Sequence, residues 1–385
     1  MKRWMSFLLI LAMMLTLVAC GESADKTATT TTTTTPAPVI ENKLPELLAE
    51  RNVPALKTRE EMLEILMTEV YGKLPPKMED QYYPVLTEES YCAGKAVMKS
   101  MAVRGTLNGQ SSGFTFKAVI PTTPGPHPFF VHIAFGESNV MTQQPTEEII
   151  DNGYAILFFN YQKVASDDND FTSGISEILY EDGVRPNGDD PGKISMWAWA
   201  SHRLLDYAET QPDTFDMSRA FVCGHSRLGK TALWAAATDE RFVGVYSNNS
   251  GCTGAALSRG KTGETVKRVL SLCSGWFCKN YKQYAGNEAL MPFDQHYLLA
   301  CVAPRKVLVG SASEDATADP LSEQLSCLAA SDAFANGFVY TRVAEIGDEF
   351  YEGDIGYHLR KGTHYFSRED WQKAIKFFNM KFPKK

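Results

Sequence analysis

Two near-continuous apolar runs, Phe129-Phe130-Val131-His132-Ile133 and Ala155-Ile156-Leu157-Phe158-Phe159, lack the apolar/polar alternation of a strand with one wet face. Such runs belong to strands covered on both faces, as in a parallel sheet. Between them, Thr146-Glu147-Glu148-Ile149-Ile150 can open a crossover helix. The same alternation continues through a helix from Trp197 to Thr210, a strand at Ala220 to Val222 and a helix after Ser226. Strands at Val243-Gly244-Val245-Tyr246 and Lys306-Val307-Leu308-Val309-Gly310 follow, and a helix from Asp370 to Met380 closes the series. Strands alternating with helices predict a three-layer α/β fold around a mostly parallel, doubly wound sheet. Upstream, residues 43–72 carry helical periodicity, with Met62, Leu63, Ile65 and Leu66 on one stripe, and predict a surface helix running into the loop Gly72-Lys73-Leu74-Pro75-Pro76. From about 94 to 120 the short runs Ala96-Val97-Met98 and Phe114-Thr115-Phe116-Lys117-Ala118-Val119-Ile120, separated by glycine turns, predict an antiparallel edge.

The first forty residues follow another pattern. Lys2 and Arg3 precede the apolar run Phe7 to Leu15, and the segment ends Leu17-Val18-Ala19-Cys20-Gly21. That run is short for a membrane span and reads as an export signal; its end resembles a bacterial lipobox, which would make Cys20 a lipidated first residue. The threonine-dominated stretch after it cannot bury enough apolar surface to fold and reads as a tether. The expected organisation is a signal over residues 1–20, a linker over 21–40 and one folded domain over 41–385. Export to the cell envelope, on a lipid anchor that is the only membrane contact, goes with it.

In the 385 residues, a hydrophobic share of 44% supports a full core, and a formal charge of -8 argues against a nucleic-acid surface. Of eight cysteines, those after Cys20 are odd in number and mostly sit in apolar runs. At least one free thiol follows, and neither a disulfide pairing nor a structural metal is expected from their spacing.

Chemistry concentrates at Phe221-Val222-Cys223-Gly224-His225-Ser226-Arg227-Leu228-Gly229-Lys230, an apolar run that stops at a glycine-flanked serine before the helix-forming Thr231-Ala232-Leu233-Trp234. Strand, sharp turn and helix make a nucleophile elbow, with a helix N-terminus beside the serine where negative charge is favoured. Leu228 stands where the usual pattern has its second glycine, and Gly229 comes one place late. The same residues also fit a plain strand-to-helix turn capped by a serine.

A nucleophilic Ser226 needs a base and an acid, in the chain order Ser, acid, His for this fold. Of the seven histidines, His296, His358 and His364 follow the serine. His364, in the glycine-containing loop Arg360 to Phe366 before the last helix, is the first candidate and His358 the second; His296 lies in an apolar, helix-like context that suits a core residue. The acid is expected in the loop Ser311 to Pro320, after the strand at residues 306–310. Asp315 is the first candidate there and Glu314 the alternative, while Asp319 before Pro320 fits a helix cap.

The segment Gly224 to Lys230, with Asn249-Ser250-Gly251-Cys252-Thr253-Gly254, Gly263-Glu264-Thr265, Trp276-Phe277-Cys278, Asp294-Gln295-His296 and Ser313-Glu314-Asp315, resembles the bacterial glucuronoyl esterases of carbohydrate esterase family 15. The resemblance runs from about Glu60 to the C-terminus and accounts for the late glycine, since members carry Ser-Arg-x-Gly. It implies an α/β-hydrolase fold and a cofactor-independent serine esterase acting on 4-O-methylglucuronoyl esters that join glucuronoxylan to lignin. It also implies Ser226 as nucleophile, His364 as base, Arg227 as an oxyanion donor, and Lys230 and Glu264 as contacts to the sugar hydroxyls. Two positions depart from the pattern. Asn249 stands where many members carry the triad glutamate, which moves the acid to Asp315, and Thr317 stands where relatives often have a tryptophan that packs on the uronate. A monomer is expected. Two other readings remain open: an acetyl-xylan or other carbohydrate esterase with the same triad, and a tethered carbohydrate-binding lipoprotein that keeps the fold without the chemistry.

Overall fold

A computed structural model of the chain describes residues 43–383, apart from the side chains of residues 139 and 140. Cys20, the apolar leader and the threonine-rich stretch lie outside the described residues. One sheet organises the rest. Its strands are β1 (Glu79–Tyr91), β2 (Ala96–Leu107), β3 (Gln110–Pro121), β4 (His127–Ala134), β5 (Ala155–Asn160), β6 (Phe215–His225), β7 (Gly244–Asn248), β8 (Lys306–Ala312), β9 (Glu349–Phe350) and β10 (Ile355–Arg360). They lie in the order β1-β2-β3-β5-β4-β6-β7-β8-β10-β9. β5, β4, β6, β7, β8 and β10 run parallel, while β1, β2 and β3 form an antiparallel wing and β9 a short antiparallel edge.

The apolar runs have the cause their pattern implies. In β4, Phe129, Val131 and Ile133 enter one core with the helices Lys193–Glu209 and Arg227–Thr238, while Phe130 enters the opposite core with Trp371 and Ile375 of the helix Arg368–Lys381. Helices cover both faces, so no position of β4 can be polar without a buried partner. Besides His127 at its start, the one polar residue of the strand is His132, which bonds Gln144 at 2.9 Å.

The N-terminal reading needs correction. Residues 43–72 form two helices, Leu44–Arg51 and Arg59–Glu69. Asn52 turns left-handed at φ 47° to end the first, and Thr58 starts the second with a reciprocal capping box to Glu61. The antiparallel wing is as predicted but longer, and β1 adds a mostly exposed strand whose register shifts after Pro84 and again after Glu88. Cys92, Cys223, Cys252, Cys273, Cys278, Cys301 and Cys327 are all free thiols.

Candidate active site

Ser226 sits between the end of β6 and the helix Arg227–Thr238, at φ 57° and ψ -126°. A residue with a Cβ is strained there, and the turn holds because the structure around it is fixed. The Ser226 N–H bonds the carbonyl of Asn248 at the end of β7, 2.9 Å away. A Cβ on Gly224 would lie 2.2 Å from the Leu228 carbonyl, so only glycine allows the helix to turn back this tightly on the strand. Gly229 faces Ser250 and the carbonyls of Asn248 and Gly224, and the Leu228 side chain is buried. The displaced glycine therefore answers a contact with the loop after β7. Ser226 occupies the cap position, yet its side chain makes no capping hydrogen bond. Serving as a helix cap does not explain this serine.

Sequence-distant loops bring the other candidates to the same carboxyl end of the sheet. His364 Nδ1 donates to Asp315 Oδ2 at 2.6 Å, and Asn249 Nδ2 donates to the same oxygen at 2.8 Å. Asp315 Oδ1 accepts the Ala318 N–H at 3.1 Å. Burial alone would raise the Asp315 pKa, but the hydrogen bonds from His364, Asn249 and Ala318 together with the imidazole charge outweigh it and hold the carboxyl at about 2. The alternative acid, Glu314, is exposed. Asp319 caps the helix Pro320–Ala329 by accepting the Ser322 N–H.

The His364 ring packs on His225, centroids 4.5 Å apart, directly before Ser226 in the chain. His225 Nδ1 donates to Asn248 Oδ1 at 2.7 Å, Asn248 Nδ2 donates to the Tyr246 hydroxyl at 2.9 Å, and that hydroxyl bonds His358 Nε2 at 3.0 Å. Burial, followed by the neighbouring His364, pushes the His225 pKa down to about 3, which keeps its ring neutral. His358, the second candidate base, is buried in β10 at the far end of this chain, with burial holding its pKa well below the ordinary value. His296 is buried and bonded to the Pro54 carbonyl at 3.0 Å, as its apolar context predicts.

The Arg227 guanidinium is held by Asp167 and lies over Trp276, its Cζ 4.8 Å from the ring centroid. Asp167 in turn accepts Trp276 Nε1 at 2.7 Å and the Tyr161 hydroxyl at 2.6 Å. Arg227 Nε is buried and unpartnered. Sequence reasoning missed Asp167. It is one of several acids in Asp167-Asp168-Asn169-Asp170, sixty residues from Arg227, and only the fold singles it out.

Lys230 is buried, and its Nζ donates to the carbonyls of Ser250 at 2.5 Å and Cys252 at 2.6 Å. Two of its three donors thus brace the loop after β7, leaving one on the side of Glu264, whose Oε2 is 3.8 Å away. The Glu264 N–H bonds the Thr317 carbonyl at 3.1 Å, and Thr317 itself is exposed. A hollow of about 740 Å3 lined by His127, Arg219 and Lys381 lies at the opposite end of the strands, beside the start of β4.

A family model described as glucuronyl esterase, fungi, matches residues 103–336. The chain belongs to the glucuronoyl esterase family. Among curated relatives, carbohydrate esterase MZ0003 from an unknown prokaryotic organism is 40% identical over 235 residues, 60% of this chain and 54% of that one. A 4-O-methyl-glucuronoyl methylesterase of Podospora anserina is 28% identical over 65% of this chain and 49% of its own. The chain thus spans about half the length of these two relatives. Among solved structures, a promiscuous CE15 esterase from a marine bacterial metagenome superposes with a TM-score of 0.76 at 30% identity, covering 84% of this chain and 91% of that one. A glucuronoyl esterase from Solibacter usitatus does so with a TM-score of 0.78 at 27% identity, over 86% and 100%. The family's α/β-hydrolase fold is the one described above.

Proposed function

We propose that this protein is a serine carboxylic-ester hydrolase that cleaves 4-O-methyl-glucuronoyl esters through Ser226, His364 and Asp315. The observation that carries the reading is the Asp315–His364 pair packed on His225, the residue before a strained, non-capping serine. The Nδ1 proton is committed to Asp315, which leaves His364 Nε2 as the acceptor for the Ser226 hydroxyl proton. Ser226 Oγ then attacks the uronoyl carbonyl, and the proton passes from His364 to the departing alcohol. Water, deprotonated by His364, cleaves the acyl-enzyme and releases the uronic acid. The tetrahedral oxyanion falls at the N-terminus of the helix Arg227–Thr238, where the Arg227 N–H has no intrahelical partner and the Arg227 guanidinium adds a fixed charge.

Relatives named 4-O-methyl-glucuronoyl methylesterases support the uronoyl substrate. Glu264 and the remaining Lys230 donor are its proposed hydroxyl contacts, and a lignin-xylan ester is the proposed natural form. Exposed Thr317 and the likeness to a promiscuous esterase favour a second reading, a broader carbohydrate esterase that also removes acetyl groups. Release of glucuronic acid from benzyl glucuronate, run beside p-nitrophenyl acetate and acetylated xylan, separates the two. Preference for the uronate supports the first reading, and acetyl release alone supports the second. We also propose lipidation at Cys20 and residence at the cell envelope; a Cys20→Ser chain that still partitions with membranes and still takes up labelled lipid would refute the anchor.

A further inference from the structure

Behind the Asp315–His364 pair lies a second carboxylate for which the proposed mechanism has no use. Glu323, on the helix Pro320–Ala329, is fully buried. Its Oε1 accepts the Gly251 N–H at 2.8 Å and its Oε2 bonds the Ser311 hydroxyl. These partners belong to the two segments that build the acid site. Gly251 lies two residues after Asn249, whose side chain grips Asp315, and Ser311 lies four residues before Asp315 at the end of β8. Asn249 is itself left-handed at φ 46°, a conformation an L side chain keeps only under external constraint, and its N–H is tied to the Gly310 carbonyl at 2.7 Å. One carboxylate therefore ties the loop after β7 to the end of β8, four residues before Asp315.

We propose that Glu323 is a positioning residue that, through Gly251 and Ser311, holds Asn249 and Asp315 in register with His364 and adds its negative charge to that of Asp315. The inference rests on the triad reading given above. The charged and titratable groups that face Glu323 are Asp315 from the loop after β8, Lys261 from the segment beside Glu264, Tyr357 from β10 and Cys327 from its own helix. Burial raises the Glu323 pKa to about 7; Ser311 and Gly251 oppose that rise, Asp315 adds to it and Lys261 reduces it. The Ser311 bond survives either state, because a hydroxyl donates to the carboxylate and accepts from the acid. Glu323 thus changes charge near neutrality without breaking its clamp. When ionised, it favours the imidazolium formed on His364 as Ser226 gives up its proton.

Two variants of the full chain separate clamp from charge. Glu323→Gln keeps an acceptor for Gly251 and a donor for Ser311 but carries no charge, whereas Glu323→Ala loses both contacts. With Glu323→Gln, kcat on the best ester and the rate of Ser226 labelling by a fluorophosphonate fall on the order of threefold at pH 8. KM is unchanged, and the ratio of wild type to variant narrows as the pH drops below 7. Glu323→Ala loses more at every pH, and its Gly251 amide exchanges with deuterium faster than in the wild type. A constant ratio from pH 5.5 to 8.5 overturns the charge role, and unchanged Gly251 exchange in Glu323→Ala overturns the clamp. A wild type that cleaves acetyl but not uronoyl esters refutes only the substrate reading, because labelling still reports on Glu323. In a wild type that is never labelled, the Gly251 exchange alone decides the clamp, and the charge role falls with the triad.

Discussion

Asn249 donates its side-chain amide to Asp315 Oδ2, the same oxygen that accepts His364 Nδ1. With two donors converging on one oxygen, the carboxylate is fixed in orientation as well as in charge, and the imidazole facing it is held in one tautomer. Asn249→Ala removes one donor from a buried charge, and a hydrogen bond to a charged group is worth roughly 1.5 kcal/mol or more. Turnover is expected to fall about tenfold with little change in KM. Asn249→Asp sets a second carboxyl against Asp315, and two carboxylates at hydrogen-bonding distance do not both stay ionised. The proton they share weakens the hold on His364, and the loss relative to wild type shrinks as rising pH removes that proton. A pH profile of kcat/KM for the three proteins checks both statements; equal profiles would remove Asn249 from the mechanism.

Arg227 and Asp167 give the second prediction. The guanidinium meets Asp167 through Nη1 and lies over the Trp276 ring, and a lysine ammonium has no plane to stack there and no second nitrogen to hold its orientation. Arg227→Lys is therefore expected to lose about as much turnover as Arg227→Ala, on the order of 100-fold for an oxyanion donor. Asp167→Asn frees the guanidinium from its clamp and gives a smaller loss. Single-turnover acylation rates measure all three; full activity in Arg227→Lys would show that charge alone suffices.

Asp315 also links the site to stability. Its folded pKa, about 2, lies below the ordinary 3.8. A depressed carboxyl pKa means that the unfolded chain binds the proton more readily. The stabilisation is therefore complete above the unfolded value and lost as the pH falls from about 4 towards 2. Over that window the contribution is roughly 2 kcal/mol. Asp315→Asn removes this titration, so the stability gap between wild type and variant narrows as the medium is acidified. Urea unfolding midpoints between pH 2 and 6 give the gap directly, and a gap independent of pH would show that His364 and Asn249 do not hold the carboxyl down.

Legibility in the sequence followed the physics of each element. β4 and β5 could be read because both faces are buried, which leaves an apolar run no loop would carry. β1 could not, because an exposed edge strand with a proline has no face to pattern. The elbow was legible through Gly224, whose need is local, whereas the late Gly229 answers the loop after β7, a contact that its position in the chain does not reveal. Asp315 stood out from Glu314 and Asp319 by its place after β8 and by the resemblance, but its side-chain direction was not legible, and one residue of difference turns a carboxylate from solvent to His364. Lys230 reads as a first-turn helix residue, and as a sugar contact only through the family resemblance, yet its charge is largely met by the carbonyls of Ser250 and Cys252. Asp167 and Glu323 carried no signal at all, since each is defined by partners that only the tertiary fold supplies.

The strain at Ser226 has a consequence separable from chemistry. At φ 57° and ψ -126° a Cβ is disfavoured, and such a residue costs about 1–3 kcal/mol, offset by its surroundings. Ser226→Ala keeps the Cβ and the strain; Ser226→Gly releases it, although the glycine gains freedom in the unfolded chain. Both variants are expected to lose ester cleavage and fluorophosphonate labelling. The glycine variant is expected to exceed the alanine variant in stability by about 1 kcal/mol, a difference of a few degrees in Tm. Differential scanning calorimetry on the two inactive proteins makes the comparison without any substrate. If alanine proves the more stable, the turn at Ser226 is relaxed, and the exposure of the hydroxyl above the sheet must be attributed to the glycines beside it.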